Sequence, residues 1–231
     1  MWLSPITLSV IEGRLRSFLF SKVHNRLQGL GTLGGKLNFS TRMRALATDV
    51  VARTPEFGHV RLDSVVFSIS HANVDALHGQ FGKIIPMRFE GGSDVKVVKQ
   101  RWYRMPKVLD GDREILYAIY FCMPKYMNLP FEDKLLTLFH EMYHISPAFN
   151  GDIRRFPGRN YAHGDSTEAF NATVRGLVNA WLASDPDIDS YAFLTPNADE
   201  FFAGYDEIVY QRVRMPKLIP EPVIPPGKGR G

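Results

Sequence analysis

The chain has 231 residues, of which 45% are hydrophobic and 23% charged; this suits a packed core and excludes global disorder. Its single cysteine, Cys122, excludes a disulfide framework and any metal site built on several thiolates. A formal net charge of +4 is too small to name nucleic acid as the partner, and no apolar run reaches the length of a membrane span.

Residues 1–39 read as an N-terminal extension and a Gly-rich linker. The opening apolar stretch is broken by Glu12, and its basic residues (Arg14, Arg16, Lys22, Arg26) come after it. That order is the reverse of a secretory signal, so the expected location is the cytoplasm. Gly29, Gly31 and Gly34 match the spacing of a dinucleotide fingerprint. No strand leads into them and no helix opens at them, so a linker is the expectation.

From there the reading is α+β. Ser40 caps an expected helix to about residue 53, with Met43, Leu46, Ala47 and Val50 on one face and Thr54-Pro55 as its stop. Strand patterns follow at 60–70, 83–89, 95–105 and 113–123, separated by turn chemistry at Gly91-Gly92-Ser93-Asp94 and Leu109-Asp110-Gly111-Asp112. The short turns predict an antiparallel meander. A helix is expected from Asn128 or Leu129 to about Ile145, with Pro130, Glu132 and Asp133 in its first turn. A second runs from Ser166 to about Ser184, with Asp165 as cap and Glu168 closing a capping box. Residues 191–210 give no clear pattern, and 214–231 form a Pro-rich tail, disordered or extended. The folded domain is therefore expected over 40–213.

The chemistry is carried by His140-Glu141-Met142-Tyr143-His144. Four residues is just over one helical turn, so both imidazoles leave one face and can grip one ion. Glu141 stands beside that ion without binding it, which suits a base acting on metal-bound water. Leu135, Leu138, Met142 and Ile145 make an apolar stripe, and Leu136, Phe139 and Tyr143 a second. Two His and a Glu inside so apolar a helix are costly without partners, and a metal is one.

A catalytic zinc needs a third protein ligand and an open position. Pro147 and Asn150 occupy the places where a metzincin carries Gly and His. His163, in the loop before Gly164, is the first choice, and Glu168 on the next helix the second. Asp165 and Glu168 also have a capping explanation, and Asp152 reads as a partner of an imidazole N–H or a turn residue. His24, His59, His71 and His78 read as surface or satisfied histidines, with His71 the one to check. Tyr161, Arg155 and Arg159 are candidates for a second electrophile.

The strand 117–122, the HEMYH run, Phe149-Asn150-Gly151-Asp152, the basic residues after it and His163-Gly164 resemble the phage-type metallopeptidase domain of the HExxH zincin superfamily. The resemblance covers about residues 40–180. It implies a zincin-like fold, an antiparallel-rich twisted sheet packed on the HExxH helix and a second helix, with Zn2+ and a protein or peptide substrate. More loosely the chain is similar to SprT-like proteases that act near DNA, but one cysteine leaves no place for their zinc ribbon. The expectation is a zinc-dependent metallopeptidase with Glu141 as general base and His140, His144 and His163 as metal ligands. The alternatives are a non-catalytic zinc-binding regulator, with the fourth position closed by Glu168, Asp165 or Asp152, and a nucleic-acid-associated protein using the basic, aromatic run 96–104.

Overall fold

The computed structural model describes residues 34–71, 81–157, 161–164 and 166–222; what was expected of residues 1–33 and 223–231 lies outside them. The architecture is α+β. Helix α1 (Phe39–Arg53) follows a short strand β1 (Lys36–Asn38) and packs on β2 (Val65–His71). Its cap is Asn38, whose side chain accepts from Thr41 N, and not Ser40. Ser40 is already inside the first turn and donates to the Phe67 carbonyl at 2.6 Å, joining helix to sheet. The helix stops at Thr54, ahead of Pro55.

The central sheet has the order β2–β8–β3, where β3 is Gly82–Pro86 and β8 is Tyr117–Met123. β2 runs parallel to β8 (Val65 opposite Tyr117) and β3 antiparallel to it (Gly82 opposite Phe121). The expected meander is therefore a mixed sheet. Turn chemistry reports local neighbours only, and the pairing of β2 with β8 spans the two hairpins between them. Those hairpins are antiparallel: β4 (Val95–Val98) with β5 (Arg101–Arg104), and β6 (Val108–Asp110) with β7 (Arg113–Ile115). The stretch 95–105 is thus two strands and not one. Lys99 and Gln100 turn between them at φ of 47° and 64°, which the residue types did not announce. The stretch 113–123 likewise breaks at Leu116 into β7 and β8.

Helix α2 (Phe131–Tyr143) and helix α3 (Thr167–Ala183) pack against each other. Leu135, Leu138, Phe139 and Met142 are fully buried on α2, and Val174, Val178 and Trp181 are buried on α3. Ser166, not Asp165, caps α3 by accepting from Ala169 N; Asp165 lies outside the described residues. The stretch without a clear pattern holds a 3-10 turn (Ile188–Leu194), helix α4 (Ala198–Ala203) with a capping box from Asn197 and Glu200, and strand β9 (Glu207–Val209), parallel to β1. Part of the Pro-rich tail is ordered: β10 (Ile219–Glu221) pairs antiparallel with β5. β1 and β10 fall outside 40–213 and yet pair with strands inside those bounds. No helix among the described residues is long and apolar enough to cross a membrane.

Lys134 ties α2 to the segment before α4. It is fully buried, and its Nζ donates to the carbonyls of Leu194 (2.8 Å) and Pro196 (2.7 Å). Burial pushes its ammonium down to about 8 from 10.5, with Glu200 pulling the other way. Lys134→Met is expected to destabilise the fold by about 2–4 kcal/mol, since it leaves two buried carbonyls unpaired. Between pH 8 and 10.5 the unfolded chain holds the extra proton, so the wild type gains stability over the Met variant as pH rises. Urea denaturation of both proteins at about pH 7 and about pH 10 measures this; a gap that stays constant refutes it.

Candidate metal centre

The HExxH residues straddle the end of α2. His140 and Glu141 lie in its last turn, and His144 is its C-cap. The helix is thus one turn shorter than the pattern suggests, and a bridge between Ile145 and Ile153 follows directly. The turn is still complete enough to bring the two rings together edge to face. His140 Nε2 and His144 Nε2 stand 3.1 Å apart, with ring centroids at 4.8 Å. His163 comes from the short segment before α3, its ring 5.5 Å from His140 and 4.9 Å from His144. Ligand nitrogens of the three histidines all lie within 4.8 Å of one another, close enough to bind a metal ion.

The surroundings fit neutral imidazole ligands. The Nδ1–H of His140 donates to Asn171 Oδ1 (3.1 Å), which leaves the lone pair on Nε2. With the His140 proton on Nδ1, its Nε2 can accept from a His144 Nε2–H at 3.1 Å, and a cation between the two nitrogens would take the place of that proton. Two ligands at 2.0–2.1 Å in a tetrahedral site stand about 3.3 Å apart, close to this separation. Burial, with His140, His163 and Arg154 nearby, pushes the His144 imidazole down to about 3. Burial and His163 push His140 below its usual range. Both rings are neutral at neutral pH, as metal ligation requires. His144 Nδ1 is buried with no hydrogen-bond partner among the described residues, so the polarity of that ring is answered only on its Nε2 side.

Phe170, in the first turn of α3, forms the floor. Its ring stacks on His144 at 4.8 Å and 23°, and meets His140 at 4.8 Å and His163 at 4.9 Å edge to face. Sequence patterning marks Phe170 and Asn171 as ordinary residues of an amphipathic helix. Only the crossing of α3 over the end of α2 reveals that they serve the histidines.

Glu141 is 7% exposed. Burial pushes its carboxyl up to about 8, opposed by a hydrogen bond from the Ile84 backbone. Gly82 makes room for it: a Cβ there would stand 2.8 Å from Thr137 Cγ2 and 3.0 Å from Glu141 Cγ and Oε1. The glycine is needed for close approach of β3 to α2, not for backbone freedom. No family model, curated protein or solved structure matches the chain.

The remaining candidates fall elsewhere. Glu168 is exposed on α3 and stands outside the histidine group. Asp152 is 4% exposed and partners no imidazole; it accepts from the backbone amides of Gly91 and Ile153 and from Arg155, organising the loop after α2. Tyr161 is exposed beneath the Arg155 guanidinium, so neither of the two faces the metal centre. Arg159, His24 and His78 lie outside the described residues. His59 is half-buried, and His71, at the end of β2, is exposed and 3.5 Å from the Tyr210 hydroxyl. The three histidines and Glu141 open into a cleft of about 670 Å³ between α2 and β3, lined also by Phe81, Ile84, Leu136 and Asn171.

Proposed function

We propose that this chain is a zinc-dependent metallopeptidase of the zincin type. The observation that carries the reading is one cleft holding three imidazoles whose ligand atoms lie within 4.8 Å of one another, with a buried carboxylate from the helix that carries two of them. His140, His144 and His163 would hold the metal. Zinc held there would supply Lewis acidity toward the attacking water and the scissile carbonyl. Glu141 takes a proton and returns it to the leaving amine, a task for which a carboxyl pushed up toward neutral pH is suited. Asn171 and Phe170 hold the rings in place, and the Ile84 amide orients the carboxylate.

The open edge of β3 supports a peptide as substrate. Phe81 O accepts from Cys122 N and Met87 N donates to Leu116 O, so alternate residues of β3 face β8. Gly82, Ile84 and Pro86 then face outward, beside Glu141. An extended peptide adds to the backbone of Gly82 and to the Ile84 carbonyl, the Ile84 amide being held by Glu141, and Pro86, with no N–H, ends the pairing.

Two rival readings have less support. A structural zinc needs a fourth protein ligand, and no fourth His, Cys, Asp or Glu joins the group among the described residues. The nucleic-acid reading loses charges to partners: Arg104 pairs with Asp94 and Glu221, and the Lys96 ammonium stands 4.6 Å from the Phe89 ring. The test is digestion of a mixed peptide library by the zinc-loaded full chain. Cleavage is expected, lost on chelation and restored by zinc; a chain that binds one zinc and cleaves no peptide refutes the proposal.

A further inference from the structure

The cleft holds one carboxylate that the chemistry above does not use. Asp133 lines it from the first turn of α2, seven residues before His140. Seven residues is almost two turns, so both side chains leave one face of the helix, about 10.5 Å apart along its axis. No residue among the described ones pairs with the Asp133 carboxylate. Its neighbours in the cleft wall are Leu129, Leu136 and Thr137, and the Thr137 hydroxyl is turned to the Asp133 carbonyl at 2.7 Å.

Every other charge at the cleft is committed. Glu141 is buried and accepts from the Ile84 backbone. Lys83 contributes to the wall, but strand alternation puts its side chain on the face of β3 away from α2. There its ammonium stands 5.4 Å from the centre of the Tyr120 ring. What remains is one negative charge at the far end of a groove with leucines beside it. That pattern matches a long cationic side chain, whose aliphatic stem covers apolar surface while its head meets the carboxylate.

We propose that Asp133 determines specificity, selecting peptides with Lys or Arg within two positions of the scissile bond, on the side toward the start of α2. The inference rests on the peptidase reading and names its substrate class. An extended peptide advances about 3.3–3.6 Å per residue, so two residues and a four-carbon or guanidinium arm cover the distance from the metal centre to Asp133. Asp133 touches the substrate's side chain and takes no part in bond breaking, so its removal acts on KM and leaves kcat close to wild type.

The test is positional scanning with the zinc-loaded full chain, comparing wild type with Asp133→Asn, Asp133→Lys and Asp133→Glu. Wild type is expected to favour Lys or Arg over Gln at one position by about tenfold in kcat/KM. Asp133→Asn loses that preference through KM, Asp133→Lys turns it toward Glu, and Asp133→Glu keeps it. Melting curves on each variant register any change in folding. Cleavage with no basic preference, or a preference indifferent to Asp133→Lys, overturns this inference and leaves the peptidase reading standing. No cleavage of any peptide overturns both.

Discussion

Glu141→Gln is expected to keep one zinc per chain and to lose about 10³-fold in peptide cleavage. The amide has the shape of the carboxylate, can accept from the Ile84 amide, and fits the space that Gly82 leaves. What it lacks is the ability to take a proton. A second readout needs no substrate. The Glu141 carboxyl is pushed up to about 8 by burial, from 4.5. Between those values the folded protein holds a proton that the unfolded chain releases, so wild-type stability falls as pH rises through the window. The Gln variant has no such slope. Metal-free Glu141→Gln is therefore expected to melt above metal-free wild type at pH 8, with the difference shrinking toward pH 5. Wild-type turnover in the Gln variant would remove Glu141 from the chemistry, and equal melting at both pH values would contradict its burial.

His163→Ala is expected to cost more zinc affinity than any change outside the histidine group. Asn171→Ala provides the yardstick: it removes only the outer hydrogen bond of His140, a loss typically worth about 10–100-fold in metal affinity. Removing His163 takes away a whole ligand and should exceed that range, while Glu168→Ala, on an exposed side chain outside the group, should change nothing. Competition against a chelator of known affinity gives all three numbers in one experiment. If Glu168→Ala weakens zinc as much as His163→Ala does, the third ligand is misassigned.

The metal centre was more legible in the sequence than the sheet around it. HExxH is a local pattern: helical spacing alone brings His140 beside His144, and the apolar stripe of α2 says that the helix is buried. His163 has no capping role in the sequence to explain it, and the structure brings it to the other two rings. Asn171 and Phe170 left no such trace, because their roles depend on how α3 crosses α2, and crossing geometry is not written in either helix. The sheet departs from the antiparallel meander for a related reason. Gly- and Asp-rich turns identify hairpins such as β6–β7, but nothing local to β2 says that it lies parallel to β8. The Lys99-Gln100 turn takes left-handed backbone without glycine or asparagine, so the hairpin it closes looked like one continuous strand. At both helix starts the capping residue was displaced by a position or two, since Asn38 and Ser166 stand close to equally capable neighbours.

Phe170 has an effect that reaches beyond holding three rings in place. A benzene ring offers no strong acceptor or donor, so none of the imidazoles can satisfy itself by swivelling toward the floor of the site. Their ring nitrogens stay gathered before any ion arrives, and capture of a cation needs little rearrangement of the side chains that receive it.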